Sequence, residues 1–394
     1  MKRLILVCLC LIVAINCVNC VNEDALLTVP QLIEKYEYPF EQHFVTTDDD
    51  YILAMHRIPD GKIPVPVGQR HSPPILCLHS LWSTSADFVI QGPAKSLGYL
   101  LADQGYDVWL GNTRGGTYSS NHTTLNPRSQ FLTTFWNFSF HEKGVHDLPA
   151  MIDFILDKTG ALNVIIIGVS EGSSAFFAMA AEKPAYMAKV QAHIAYAPAV
   201  LIDRTTFLLA RFFVLMETFG YGNFVTNLVG NFDIAPDSLI LNLITWACSA
   251  HRLTSLICNH GISPVLDSEP GELDVDTDVI LGHMPASTST RQIIHFLQCV
   301  RYKNFVKYQS KFIGKPQPYD LSGITTPIYV FYSTKDRAVN WKDVEKLETR
   351  LPAGFVQKWR NSEFGHVDFV LSKNAKDLVF DETIALLDTI TTLV

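Results

Sequence analysis

Residues 168–172, which read G-V-S-E-G, have the spacing of a nucleophile elbow. An apolar run precedes them at 164–167, and a helix-like stretch rich in alanine and phenylalanine follows at 173–181. A sharp strand-to-helix turn brings the two backbones close together, so side chains at the two glycine positions would clash. The pattern therefore predicts that Ser170 stands at the tip of such a turn, where its hydroxyl can act as a nucleophile.

A serine nucleophile needs a base, and the base needs an acid to orient it; in this geometry both follow the serine in the chain. An apolar, strand-like run at 327–332 leads towards Asp336, and His366 follows a further strand-like run at 356–359. We predict that His366 accepts the Ser170 proton while Asp336 fixes the imidazole tautomer. Taken singly, the two residues could be an exposed turn aspartate and a surface histidine. Asp368 is a competing acid, but its position two residues from His366 favours a loop-fixing role.

The second requirement of acyl transfer is a pair of backbone N–H groups that stabilise the oxyanion. In nucleophile-elbow enzymes, one belongs to the residue after the nucleophile and the other to the loop after an early strand. A strand-like run at 72–79 ends in the loop 80–82. We therefore predict the amides of Leu81 and Glu171 as the two donors.

The histidine and cysteine spacings do not predict a metal site. His141 and His146 are five residues apart rather than four, so they would not share a helix face as zincin ligands do. We interpret them as loop and helix-surface residues. The four cysteines at positions 77, 248, 258 and 299 also lack zinc-site spacing. We predict a protein with no metal and no cofactor.

The first twenty residues have the pattern of a signal peptide. Lys2 and Arg3 precede an apolar core at 4–15, which is too short to span a bilayer comfortably. We predict a removable leader at 1–20, with a retained anchor as the alternative. Removal leaves 29 basic and 39 acidic residues, a formal charge of −10. That charge excludes general attraction to nucleic acid or anionic membranes, and the sequence leaves the oligomeric state open.

Two sequons and four cysteines are relevant to a protein of the secretory pathway, where N-linked glycans and disulfides form. Asn121 and Asn137 begin N-x-[ST] motifs and are predicted glycan acceptors, although such short motifs also arise by chance. Cys77 lies within an apolar strand, which favours a buried free thiol. The cysteines downstream of the leader are at positions 77, 248, 258 and 299.

Alternation of strand-like and helical segments predicts an α/β fold, with a mostly parallel sheet and helices on both faces. The strand-like runs lie at 51–58, 75–78, 107–110, 164–167, 190–196, 328–332 and 356–359. Between 200 and 317 the sequence becomes apolar and helix-rich without clear strands. We predict a core formed by 21–199 and 318–394, interrupted by an insertion at 200–317.

Several longer stretches resemble the acid lipases, the family that includes lysosomal acid lipase and gastric lipase. They are YEYPFE at 36–41, DYIL at 50–53, HRIP at 56–59, LLADQGYDVWLGNTRG at 100–115, FSF at 138–140 and DLPA at 147–150. Together they extend the similarity over nearly the whole mature sequence. The block at 100–115 is specific to this family rather than to α/β-hydrolases in general.

The resemblance implies an α/β-hydrolase fold in which 200–317 is a helical cap with a lid, and it assigns Ser170, Asp336 and His366 to the family's triad. It also implies a disulfide between Cys248 and Cys258, which an oxidising lumen permits. The implied activity is hydrolysis of triacylglycerols or sterol esters at a lipid–water interface, by a secreted or lysosomal protein.

Three positions depart from the family pattern. The family's elbow usually reads Gly-His-Ser-Gln-Gly and its oxyanion strand ends His-Gly, whereas this chain has Val169, Glu171 and Ser80. A charge at position 171 about 6 Å from the oxyanion would oppose it by ~3 kcal/mol at an effective ε of ~20, about a hundredfold in rate. We hypothesise that Glu171 narrows the active pH range to acid or lowers turnover. The alternative is that it lies on the first helical turn, where an acid suits the helix dipole. The Cβ of Ser80 could misaim the Leu81 amide.

Two questions stay open at the level of sequence. The apolar segment 207–216 could be a lid that opens onto lipid or a buried helix that packs the cap onto the core. The function could also be that of a catalytically weakened lipid-binding relative, or of a general carboxylesterase for soluble esters.

Overall fold

The computed structural model describes residues 21–66, 68–128, 134–207, 211, 226, 230–234, 258, 261–273, 275–310 and 314–393. The predicted signal peptide, Cys248 and all of the segment 207–216 except Phe207 and Arg211 lie outside the described residues. No helix within these ranges combines the length and apolar character needed to cross a membrane.

The strands of the described residues form one ten-stranded sheet. They are β1 (Glu41–Thr46), β2 (Tyr51–Ile58), β3 (His71–Leu78), β4 (Tyr106–Gly111), β5 (Asn121–His122), β6 (Val164–Val169), β7 (Val190–Tyr196), β8 (Ile328–Ser333), β9 (Gln357–Asn361) and β10 (Thr392–Leu393). The order is β1-β2-β4-β3-β6-β7-β8-β9, with β5 on β2 and β10 on β3. The six strands from β4 to β9 in this order are parallel, and β1 and β2 form an antiparallel edge. The predicted mostly parallel sheet is confirmed.

Helices connect the strands. In the described residues, the α-helices with both ends defined are α1 (Val29–Lys35), α2 (Leu97–Asp103), α3 (Phe140–Glu142), α4 (Leu148–Thr159), α5 (Glu171–Glu182), α6 (Thr277–His283), α7 (Thr290–Tyr302), α8 (Trp341–Glu348), α9 (Asp368–Leu371) and α10 (Asp381–Ile390). Residues 261–266 are also helical. One π-helical turn, Lys143–Asp147, joins α3 to α4, and a second, Lys376–Phe380, leads into α10. Local sequence sets several ends. Asn340 caps α8 through the Lys342 amide, and Gly160, with a φ of 72°, ends α4.

Side chains of the central strands alternate between two hydrophobic cores, one on each face of the sheet. In β6, Val164 and Ile166 contribute to the core that contains α4 and α5, whereas Ile165 and Ile167 contribute to the core that contains α1, α2 and α10. All four are fully buried. This explains the uninterrupted apolar run, because helices cover both faces of a parallel sheet.

Parallel order places the loops after β3, β6, β8 and β9 at one edge of the sheet. Leu81 follows β3, Ser170 follows β6, Asp336 follows β8 and His366 follows β9. Because the carboxyl ends of parallel strands meet there, residues almost 290 positions apart in the chain become neighbours.

A buried arginine joins three segments near β1 and β2. The guanidinium of Arg114 donates to Asp147 at 2.7 Å and to both oxygens of Asp49, at 2.6 and 2.7 Å. It also lies 4.0 Å from the ring centroid of Tyr51. Its side chain is only 1% exposed. These contacts hold the π-helical turn against the loop that follows β4.

Arg114→Met should lower the free energy of unfolding by about 3–5 kcal/mol, because it leaves the buried Asp147 carboxylate without its partner. The matched control is Arg360→Met, which removes a half-exposed partner of Glu345 and should cost at most about 1 kcal/mol. Denaturant unfolding followed by tryptophan fluorescence measures both. Equal, small losses would show that the buried pair does not stabilise the fold.

Candidate active site

Ser170 occupies the tight turn between β6 and α5. Its backbone has a φ of 50° and a ψ of −104°, a conformation that costs a non-glycine residue about 1–3 kcal/mol. A Cβ at Gly168 would lie 2.9 Å from the amide nitrogen of Ser173, and one at Gly172 would lie 2.6 Å from the carbonyl oxygen of Leu78. The two glycines therefore allow the close strand and helix contacts that hold Ser170 at the tip.

The structure brings the three residues of the predicted triad together. Ser170 Oγ lies 2.8 Å from His366 Nε2, and His366 Nδ1 lies 2.9 Å from Asp336 Oδ2. Because a carboxylate accepts from Nδ1–H, Nε2 carries the lone pair that faces the serine hydroxyl. The other Asp336 oxygen accepts from the Val339 amide at 2.7 Å, which fixes the carboxylate in the loop after β8.

Neighbouring charges favour the protonated form of His366. Burial alone would lower the pKa of its imidazole, but Asp336, Asp267 and Asp368 together outweigh burial and hold this pKa above the ordinary value of 6.5. His366 is therefore a stronger base than a free imidazole.

The contacts of Asp368 are those of a loop-fixing carboxylate. It accepts from the Gly365 amide at 2.7 Å, the Glu269 amide at 2.9 Å and the Ser268 hydroxyl at 2.5 Å. Burial raises the pKa of Asp368 to about 6. The carboxylate hydrogen-bonded to the His366 ring is that of Asp336.

Asp267, which the sequence analysis missed, connects the acid loop to the base loop. Its carboxylate accepts from the amides of Arg337 and Ala338, each at 2.9 Å, and its carbonyl oxygen accepts from the His366 amide at 2.5 Å. A Cβ at Gly365 would overlap that carbonyl group. No local motif announces this role, since Asp267 lies about 70 residues from one loop and 100 from the other.

The loop that carries Leu81 is fixed from two sides. Asp87 accepts from the Ser80 amide at 2.8 Å and from its hydroxyl at 3.0 Å, while His79 Nδ1–H donates to the Ser80 carbonyl at 2.8 Å. The positive φ in this loop, 60°, belongs to Trp82 rather than to Ser80. The Cβ of Ser80 therefore meets no backbone strain of the kind expected for a glycine replacement.

Glu171 is the first residue of α5, so its amide has no acceptor within the helix. Its side chain is 3% exposed and forms an ion pair with Lys143, whose side chain is 5% exposed. The first-turn position agrees with the alternative interpretation of Glu171. The sequence analysis did not anticipate a buried cation beside it, because Lys143 is 28 residues away in the chain.

A cavity of about 610 Å³ opens beside Ser170 and His366. Its lining is mainly apolar and combines residues of the core, such as Val169, with residues beyond the segment 208–260, such as Leu266 and Met284. Leu81 also lines it. A cavity of this composition accepts an apolar chain close to the nucleophile.

The other predicted residues are two sequon asparagines and the cysteines. Asn121 and Asn137 are exposed, as glycosylation requires. Cys258 forms a disulfide whose partner lies outside the described residues, and Cys77 and Cys299 are buried and free.

His141 and His146 have separate partners. His141 Nδ1 lies 2.7 Å from the Tyr319 hydroxyl, and His146 contacts Asp48. Together with Asp49, the latter pair is the one cluster of metal-ligand type in the described ranges, and Asp49 is already bound by Arg114. It carries no metal assignment.

Comparison with known proteins agrees with this geometry. A model of a partial alpha/beta-hydrolase lipase region matches residues 29–92, and a model of the alpha/beta hydrolase fold matches residues 73–372. The chain is 31% identical to gastric triacylglycerol lipase of Mus musculus, with 93% of each chain covered. This chain belongs to the acid lipase family of α/β-hydrolases.

Other relatives support the same family. The chain is 35% identical to Lipase 1 of Drosophila melanogaster, over 93% of this chain and 81% of that one, and 30% identical to Lipase member K of Homo sapiens, over 94% and 93%. A soluble variant of monoglyceride lipase from Saccharomyces cerevisiae, 18% identical over 93% and 97% of the chains, has the same fold with a TM-score of 0.53. The protein is a carboxylic ester hydrolase with the predicted fold.

The activity of this acid lipase on a dissolved ester should fall as the pH drops through the raised pKa of His366, because imidazolium cannot accept the Ser170 proton. The midpoint of kcat/KM against pH should therefore lie above 6.5. Buffers of constant ionic strength and parallel fluorescence spectra separate titration from unfolding. A midpoint at or below the ordinary value would contradict the environment assigned to His366.

Asp267→Ala in this acid lipase should lower kcat about 10- to 100-fold and leave KM within a few-fold, because the acid and base loops lose their shared support. Asp60→Ala is the control, since Asp60 also accepts from two backbone amides and an arginine but lies by the opposite edge of the sheet. Steady-state kinetics on a dissolved ester compares the two. Equal kcat values would limit Asp267 to a structural role.

Proposed function

We propose that the protein is a serine lipase that hydrolyses carboxylic esters of neutral lipids, triacylglycerols or sterol esters, through an acyl-Ser170 intermediate. The observation that carries the proposal is the 2.8 Å contact between Ser170 Oγ and His366 Nε2 at the side of an apolar cavity. The gastric lipase similarity supports triacylglycerol as one substrate class.

In the acylation step, Ser170 Oγ attacks the ester carbonyl carbon while His366 Nε2 takes the hydroxyl proton. The amides of Leu81 and Glu171 are the proposed donors to the oxyanion. As the tetrahedral intermediate collapses, the bond to the alcohol oxygen breaks and His366 returns its proton to that oxygen. A water molecule, deprotonated by His366, then attacks the acyl carbon. As the bond to Ser170 Oγ breaks, His366 returns the proton to Oγ and the fatty acid is released.

We propose that residues 21–199 and 318–394 form the catalytic core, that 200–317 form a cap with a lid, and that 1–20 are a signal peptide. The sequons at Asn121 and Asn137 and the disulfide at Cys258 support passage through an oxidising secretory compartment, towards a lysosome or the exterior. The expected partner of Cys258 is Cys248. Neutral lipid at a lipid–water interface is the proposed binding partner.

A fluorophosphonate probe should label the parent protein, and Ser170→Ala should abolish both the labelling and ester hydrolysis, because only an activated serine reacts. Ser322→Ala, at an exposed serine, should retain both. Absence of labelling in the parent at acid and neutral pH would instead indicate a lipid-binding relative that lacks an activated nucleophile.

The same proteins should be compared on emulsified triacylglycerol, emulsified sterol ester and a dissolved short-chain ester across pH. A lipase should be more active on at least one emulsified substrate than on the dissolved ester. Labelled protein with activity confined to the dissolved ester would identify a general carboxylesterase.

A further inference from the structure

A buried ion pair includes the side chain of Glu171, whose backbone amide is one of the proposed oxyanion donors. Lys143 Nζ contacts Glu171 Oε1, and both side chains are at least 95% buried. The second carboxylate oxygen, Oε2, is buried and has no hydrogen-bond partner within the described residues. Glu171 directly follows the nucleophile in the chain, so the charge of its carboxylate affects the reacting atoms.

The fold brings the lysine to this position through a close contact between the π-helical turn and α5. A Cβ at Gly144 would overlap the carbonyl oxygen of Ala175, so glycine lets the turn lie directly against the helix. The Lys143 amide donates to the Ser139 carbonyl at 3.2 Å. The far end of the turn is held where Asp147 accepts from Arg114. Lys143 therefore approaches Glu171 from a fixed backbone.

Another ionisable group near the pair is neutral. Burial, together with the charge of Lys143, lowers the pKa of His79 to about 3. Its Nε2 accepts from the Thr113 amide at 3.2 Å, which agrees with the neutral ring. His79 therefore adds no charge, and the cation in contact with Glu171 is Lys143.

We propose that Lys143 is a positioning residue for acyl transfer, an inference that rests on the proposed function. By pairing with Glu171, it offsets a negative charge that would oppose the oxyanion and fixes the residue whose amide donates to it. Without the lysine, an ionised carboxylate at position 171 would oppose the oxyanion; for unit charges about 6 Å apart at an effective ε of ~20, the rate falls about a hundredfold.

Lys143 also limits the charge near the base. The groups that act on His366 are Asp336, Asp267 and Asp368, and Asp87 interacts with it from the loop after β3. All four are carboxylic acids. A further unpaired carboxylate at position 171 would add to the preference of His366 for the protonated, inactive form.

Lys143→Met leaves the buried carboxyl group at position 171 without its cation, and only the charged form of that group opposes the oxyanion. The ratio of the variant's kcat to that of the parent, measured on a dissolved ester, should therefore be near one at acid pH. It should fall to about 0.01–0.1 at higher pH, with KM within about twofold. A loss of structure alone would lower the ratio without this pH dependence.

The double variant Lys143→Met/Glu171→Gln should restore the ratio to within a few-fold of one at every pH, because it removes both charges. Glu171→Gln alone keeps the backbone amide and removes the carboxylate, so it should not reproduce the pH-dependent fall of Lys143→Met. The matched control is Lys307→Met, which removes the partner of Glu182 at the other end of α5 and should give a ratio near one throughout.

Fluorophosphonate labelling of the parent distinguishes the two levels of the proposal. An unlabelled parent overturns the proposed function. A labelled parent with a flat ratio for Lys143→Met, or with no recovery in the double variant, overturns the role of Lys143 alone. If circular dichroism shows that Lys143→Met does not fold, the folded double variant is compared with Glu171→Gln instead. Equal kcat values at every pH support charge compensation. A uniformly lower kcat in the double variant contradicts it.

Discussion

The close packing of β3, β6 and α5 around Ser170 is the constraint on which the rest of the site depends. The positive φ of Ser170 is unfavourable by itself, and it persists because two glycines let three backbones touch. The turn points the serine hydroxyl away from the sheet edge, where loops after β8 and β9 can reach it. Within this turn the unfavourable conformation falls on the residue whose hydroxyl attacks, while the preceding strand β6 is fully buried.

Sequence alone predicted the parts of the site that depend on local patterns and chain order. Ser170 was recognisable from its glycines and flanking elements, and Asp336 and His366 from their positions after strand-like runs. Asp267 and Lys143 could not be found in this way, because their roles arise from contacts between segments far apart in the chain. In the sequence, neither residue differs from other charged residues. Their roles arise because the fold places Asp267 against the loops after β8 and β9 and Lys143 against α5.

The same holds for the sheet: some strands could be predicted from their own sequence, and others only from the strands with which they pair. The fully apolar β6 was predicted because burial on both faces leaves a continuous signal. Strand β1 was missed because it is an edge strand with several exposed positions, and the short β5 and β10 are defined mainly by their partners. The apolar part of β3, at 75–78, gave the clearest signal, and the strand itself starts at His71, where the sequence is less apolar.

The carbonyl of Trp82 accepts the amide of Ala286 at 2.6 Å, which ties the loop bearing Leu81 to the chain beyond the segment 208–260. Asp267, which also follows the segment 208–260, supports the loop that carries His366. The loop that carries Leu81 and the loop that carries His366 are therefore both held by residues beyond the segment 208–260, and residues of the same stretch line the cavity. The residues that shape the cavity wall are therefore also the ones that support the loops on either side of Ser170.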